Sequence, residues 1–456
     1  MDDRPEAATN SARSQRPDSE AFKTFIKDKW ATPEPAPATR VAAAPRAEER
    51  RARLSAQFPG TRIVVPAGTL TTRSNDTDYR FRPRSDFAYL TGLGSDHEPG
   101  AVLVMEPSGQ GHDATLYVLP PAGRDSEGFY SDARLGEFWI GRRPGVDEFA
   151  GMTGIPTRPI ADLPGGIRLS AQPSRAVARA LSLMRMIKDD YEIDQIRAAV
   201  AATIAGFERV VRELPRAIDH KRGERVVEAA FDGHAREEGN AVGYETIAAA
   251  GPHATTLHWI QNDGSVRDGD LLLLDAGVEV ESLYTADITR TLPVGGRFTE
   301  VQRRVYDVVL EAADAAFAVA RPGATLRDVH QAAMAVIERR LGEWGIIPPS
   351  DDPKAALYRR WMVHSTSHHL GLDVHDCAEA RRTVYLDGKL EAGMVFTIEP
   401  GLYFKDDDLA VPEELRGIGI RIEDDVVVTS TGVENLSSAL PRRADDVERW
   451  MAALGR

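Results

Sequence analysis

The stretch Met362-Val363-His364-Ser365-Thr366-Ser367-His368-His369-Leu370-Gly371-Leu372-Asp373-Val374-His375-Asp376 holds four of the chain's eleven histidines. His364, His368, His369 and His375 fall within twelve residues of one another. Neutral imidazole is a standard ligand for divalent metals. A cluster this dense directs attention to acidic residues elsewhere in the chain that could complete a site.

Four carboxylates qualify, each on a segment that otherwise reads as buried strand. Asp275 ends the apolar run Leu271–Leu274, and Asp287 sits in the β-branched stretch Tyr284–Leu292. Glu399 closes Met394–Ile398, and Glu423 lies in Ile418–Asp425. Ionised carboxylates are costly to bury unless paired or bound to metal. Any one of them alone reads as a strand-end residue facing water; four beside a histidine cluster do not. Together they carry a charge that two divalent cations would neutralise, and without cations they would raise one another's pKa values. Oxygen-rich donor sets favour Mn²⁺ or another hard ion.

These segments resemble the motif series of the aminopeptidase P and prolidase family: Asp275-Ala-Gly, Ala286-Asp-Ile-Thr-Arg-Thr, Ser367-His-His-Leu-Gly-Leu-Asp-Val-His-Asp, Thr397-Ile-Glu-Pro-Gly-Leu-Tyr and Gly417-Ile-Gly-Ile-Arg-Ile-Glu-Asp. The likeness is close from about 185 to 440, and Asp76–Gly92 is similar to the N-terminal domain on the aminopeptidase P side. It implies an α/β (α+β) chain with a C-terminal pita-bread catalytic domain behind a smaller mixed α/β domain. It also implies Asp275, Asp287, His368, Glu399 and Glu423 as ligands of two metal ions, most simply Mn²⁺, with Co²⁺ or Zn²⁺ as alternatives. Asp287 and Glu423 would bridge the ions, and a hydroxide between them would attack, with Glu399 as general base.

By the same resemblance His258 and His375 would bind substrate and stabilise the oxyanion. Tyr403 and Arg421 would orient ligands and shape a proline pocket. His364 and His369 are expected to pack or to support ligands, Cys377 to be a buried inert thiol, and Trp259 and Trp361 to be core or cleft wall. Asp424 and Asp425 are expected to face solvent or support a loop. The Asp275–Asp287 spacing is one residue longer than the family's usual one. A one-residue slip on paired strands flips a side chain to the other face. The turn near Glu281-Ser282 is expected to absorb the extra residue.

Outward from the site, residues 1–44 are rich in Ala, Pro and Ser and read as a mobile tail, with Phe22, Phe25 and Trp30 as candidates for a short docked helix. Strand-like runs at Ile63–Val65, Ala101–Met105 and Leu116–Leu119 give a mixed unit over 45–180. Ile193, Ile196, Val200, Ile204, Phe207 and Val211 repeat at helical spacing and open the catalytic unit, 181–456. A further helix is predicted over 223–238. Thr299 predicts a helix start, and Thr325 with Asp328 a capping box.

The net charge of −14 argues against nucleic acid, and one cysteine in 456 residues excludes an intrachain disulfide and Cys-rich zinc modules. The N-terminus lacks signal-peptide character and no apolar run spans a bilayer, so the cytoplasm is the expected location. The resemblance implies peptide substrates with proline second and a homo-oligomer, a dimer or tetramer. Alternatives are a prolidase acting on Xaa-Pro dipeptides and a non-catalytic pseudo-peptidase binding module. Methionine aminopeptidase fits the N-terminal domain poorly, and metal-free creatinase-like members lack this ligand set.

Overall fold

The computed structural model describes residues 17, 19–31, 38–75, 77–95, 97–109, 111–169, 172–352 and 354–456. These fall into two compact units, residues 1–180 and 181–456. Residues 1–16, 18 and 32–37 of the expected tail, and Asp76, lie outside the described residues.

In the first unit, helix α1 (Glu20–Phe25) is capped by Ser19. Phe22 meets Tyr130 edge-on at 5.3 Å, and Trp30 meets Phe129 at 5.8 Å. Residues 19–31 therefore carry the short docked helix that Phe22, Phe25 and Trp30 offered as the alternative to a loose tail, with Phe22 and Trp30 finding ring partners and Phe25 exposed. Helix α2 (Ala44–Gln57) packs on α3 (Ser85–Thr91). Arg50 and Arg51 of α2 donate to the carbonyls of Tyr89 and Leu90, which the end of α3 leaves without helical partners. Strands β1 (Ile63–Pro66), β2 (Val102–Ser108), β3 (Gly111–Val118) and β4 (Thr157–Pro159) form one sheet in that order. Only the β3–β4 pair is parallel.

Helix α4 (Arg175–Arg185) leads into the second unit. Asp189 and Glu192 form a reciprocal capping box for α5 (Asp190–Ile218), whose buried stripe includes Ile196, Val200, Phe207 and Val211. α5 packs on α6 (Gly223–Glu238), with Phe207 edge-on to Phe231. β5 (Ile247–Ala250), β6 (Leu271–Ala276) and β7 (Ile288–Pro293) make an antiparallel sheet with β6 in the middle. Every residue of β6 is buried, as its unbroken apolar run requires.

Helix α7 (Glu300–Val319) is capped by Thr299, and α8 (Leu326–Glu343) by the Thr325–Asp328 box. The two pack on each other and share one apolar core with β6 and the last strands. Those strands are β8 (Val395–Ile398), β9 (Gly401–Phe404), β10 (Ile418–Arg421), β11 (Asp424–Val428) and β12 (Val433–Asn435). β9 pairs with β10, and β11 lies between β8 and β12. Helix α9 (Ala444–Ala453) closes the chain. Among the described residues no helix is long and apolar enough to cross a membrane.

Candidate metal centre

Each acidic candidate sits where an apolar strand starts or stops. Asp275 is the fifth residue of β6 and pairs with Thr289 of β7; Asp287 immediately precedes β7. Glu399 follows β8, and Glu423 lies between β10 and β11. The link from β6 to β7 turns at Val280–Leu283, closed by Leu283 N–H donating to the Val280 carbonyl at 2.8 Å. Leu283 takes φ +72°, in the left-handed region. At Gly277 a Cβ would overlap the Ala286 carbonyl, so only glycine lets the two strands come this close.

The two aspartates converge. The Tyr244 hydroxyl lies 2.7 Å from Asp275 Oδ1 and 2.5 Å from Asp287 Oδ1. It has one proton, so it donates to one carboxylate at a time, and burial holds that proton well above the usual tyrosine range. Asp287, His368 and Glu423 bring one donor atom each within 4.8 Å of one another. His368 Nε2 is 3.2 Å from Asp287 Oδ2 and 3.7 Å from Glu399 Oε1. Its Nδ1–H donates to the His369 carbonyl, which turns Nε2 toward the carboxylates.

The electrostatics are those of a site built for cations. Burial pushes Glu399 up to about 8, and burial with Asp287, Glu399 and Asp275 nearby drives Glu423 well above the carboxylate range. Burial also raises Asp275, against the pull of Arg421. Burial alone would raise Asp287 too, but the hydrogen bond and charge of His368 outweigh it and hold Asp287 low. Burial lowers His368, yet Asp287 and Glu399 lift it to about 9. Arg421 pairs with Asp275 and His368 with Asp287, one tyrosine proton serves both aspartates, and the raised Glu399 and Glu423 hold their protons more tightly than free carboxyls. This donor set fits divalent cations.

Around the donors, Arg421 donates to Asp275, to the Tyr403 hydroxyl at 3.0 Å and to Thr289 Oγ1 at 3.2 Å. Thr289 in turn donates to Glu423 Oε2 at 2.6 Å. The fully buried Arg290 donates to the carbonyls of Thr289, Glu423, Leu440 and Pro441 and to Asp424. Asp424 and Asp425 are fully buried, which rules out the first of the two roles expected of them, facing solvent or supporting a loop. Arg290 compensates the first, and Asp425 Oδ2 accepts the Asp287 N–H at 3.0 Å.

His364 is closer to the centre than a packing role implies. Its Nδ1–H donates to the Ser365 carbonyl at 2.7 Å, so its Nε2 accepts from the Tyr403 hydroxyl at 2.8 Å. Burial and Arg421 push it down to about 3, and Nδ1 stands 3.5 Å from Glu399 Oε2. His369 is buried against Tyr385, and burial lowers it to about 3. Cys377 is buried and pushed up to about 12, chiefly by that burial. Trp361 is core and donates to Asp408.

His258 and His375 are exposed. The His375 ring meets His368 edge-on at 4.6 Å, and burial and His368 lower its pKa. The His375 loop is fixed from below by Asp376, buried and bonded to Arg185 and to Lys188. The sequence reading passed over Tyr244, Thr289 and Arg290. Thr289 and Arg290 lie inside a quoted motif, whereas Tyr244 carries no local signal.

Two family models match the chain: "Metallopeptidase family M24" over residues 194–430, and "Aminopeptidase P, N-terminal domain" over residues 47–176. Xaa-Pro aminopeptidase 1 of Streptomyces coelicolor is 50% identical, with 96% of this chain and 93% of the relative covered. Xaa-Pro aminopeptidase of Escherichia coli is 33% identical, covering 89% of this chain and 96% of the relative. The solved structure of Pseudomonas aeruginosa aminopeptidase PepP superposes with a TM-score of 0.78 at 31% identity, covering 91% of this chain and 99% of that one. Zn-substituted E. coli aminopeptidase P in complex with product gives 0.77 at 30% identity, covering 91% and 99%.

Proposed function

This chain belongs to metallopeptidase family M24, with an aminopeptidase P N-terminal domain ahead of its pita-bread domain, and we propose that it hydrolyses the bond between an N-terminal residue and a following proline. One observation carries the reading: Asp287, His368 and Glu423 meet within 4.8 Å in a chain similar to Xaa-Pro aminopeptidases along nearly its whole length. That full-length likeness, N-terminal domain included, favours an aminopeptidase over a prolidase.

In this reading Asp275, Asp287, His368, Glu399 and Glu423 hold two divalent ions, Mn²⁺ being the best match to their oxygen-rich donors. Bound ions would polarise the scissile carbonyl and acidify a water. Glu399, at the edge of the donor set, would take up a proton from the attacking water and return it toward the leaving nitrogen. His258 and His375, both exposed, hold the peptide carbonyl and the oxyanion. Arg421 and Tyr403 are buried and engaged with Asp275 and His364, which suits them to orient ligands and back the proline pocket. Proline offers no N–H and has a fixed φ, so a site relying on cations and shape loses nothing by accepting it.

The proposal places the enzyme in the cytoplasm, in keeping with its single buried cysteine, and as a homo-oligomer. Light scattering reads the latter. The test of function is hydrolysis after chelation, with Mn²⁺, Co²⁺ and Zn²⁺ restored separately. Xaa-Pro-Xaa peptides should be cleaved, and Xaa-Ala-Xaa peptides should not. Turnover of Xaa-Pro dipeptides alone would return the prolidase reading.

A further inference from the structure

Glu224, in the first turn of α6, is fully buried and far in sequence from every motif quoted above. Its carboxylate accepts four hydrogen bonds, all from the segment 250–264. Oε1 takes the Ala250 N–H at 2.8 Å and His253 Nδ1 at 2.8 Å. Oε2 takes the Trp259 indole N–H at 2.9 Å and the Gly264 N–H at 2.7 Å. The Glu224 N–H returns a fifth bond to the Gly264 carbonyl at 3.1 Å. His253 also stacks on Trp259, with ring centres 3.8 Å apart. A Cβ at Gly264 would press on Glu224 Oε2, so that contact is close by construction.

The segment so gripped carries His258, next to Trp259 and between the two anchored ends. His258 itself is exposed. An exposed histidine on a loop is useful only if the loop is held, since a misplaced catalytic contact of about 1 Å can cost about 10²-fold. We infer that Glu224 is the positioning residue for His258, acting by clamping both ends and the middle of the 250–264 loop. Both carboxylate oxygens face donors, so an amide there must aim its NH₂ at two N–H groups.

This inference rests on the reading of His258 as a substrate residue, and a double-mutant cycle separates the two. Kinetics on an Xaa-Pro-Xaa peptide are measured for native enzyme, Glu224→Gln, His258→Ala and the double variant, each with metal content determined. Glu224→Gln should lower kcat/KM by up to about 10²-fold while retaining its metal. In the His258→Ala background it should cause no further loss. Equal losses in both backgrounds, or loss of metal from Glu224→Gln, would overturn the inference. His258→Ala with unchanged kinetics would instead overturn the role of His258. If Glu224→Gln yields no folded protein, Trp259→Phe replaces it, removing one donor while keeping an aromatic ring. A loss seen only with His258 present supports the clamp; no loss, or the same loss without His258, sinks it.

Discussion

Asp275 and Asp287 each set a carboxylate oxygen against the one hydroxyl of Tyr244, at 2.7 and 2.5 Å. The chain makes this meeting through the Val280–Leu283 turn and the close strand approach at Gly277. One hydroxyl proton serves both carboxylates, and Arg421 beside Asp275 and His368 beside Asp287 supply the balancing charge in the metal-free site.

Metal uptake should release protons. At pH 7 the metal-free site holds a proton on Glu399, at about 8, and on His368, at about 9. Both must lose it to ligate, so apparent affinity should climb between pH 6 and 9. Calorimetry in two buffers of different protonation enthalpy counts the protons; a count of zero at pH 7 contradicts the account.

Stability of the metal-free protein should fall as pH rises. Glu399 and His368 bind protons more tightly folded than unfolded, so their contribution is complete below the unfolded values. It is lost as pH climbs through about 8 and about 9. Saturating divalent metal should flatten the profile. Thermal melts from pH 6.5 to 9, with and without metal, read this directly; parallel curves would refute it.

Asp425 should matter through the Asp287 backbone. Asp425→Ala leaves the Asp287 N–H buried and unpaired, at a cost of roughly 1–3 kcal/mol in urea unfolding. Asp425→Asn keeps an oxygen acceptor and should lose much less. Equal losses for the two variants would remove the hydrogen bond from the explanation.

His364 should support catalysis without holding metal. His364→Ala removes the acceptor of the Tyr403 hydroxyl and the ring beside Glu399. Activity should drop about 10–100-fold while metal content stays at the native level. Loss of metal in this variant would make His364 a ligand.

Much of the catalytic unit was legible because local chemistry marks it. Thr299 and the Thr325–Asp328 pair announce helix starts, the Ile193–Val211 stripe announces a packed face, and an acid ending an apolar run stands out. What stayed hidden depends on partners remote in sequence. Asp424 and Asp425 read as facing solvent or supporting a loop, and their burial is compensated by Arg290 and the Asp287 N–H, well over a hundred positions away. Tyr244 and Glu224 are single residues whose meaning lies in what folds against them. Of the rings marked as candidates for a docked helix in the tail, Phe22 and Trp30 meet Tyr130 and Phe129, while Phe25 stays exposed.

The number of divalent ions retained per chain after dialysis, compared between the native protein and Asp287→Ala, tests the central claim most directly. The native chain should keep two, and Asp287→Ala at most one, with Xaa-Pro-Xaa hydrolysis down by about 10³-fold or more as several kcal/mol of charge stabilisation disappear. Equal metal content and undiminished turnover in the variant would contradict the account.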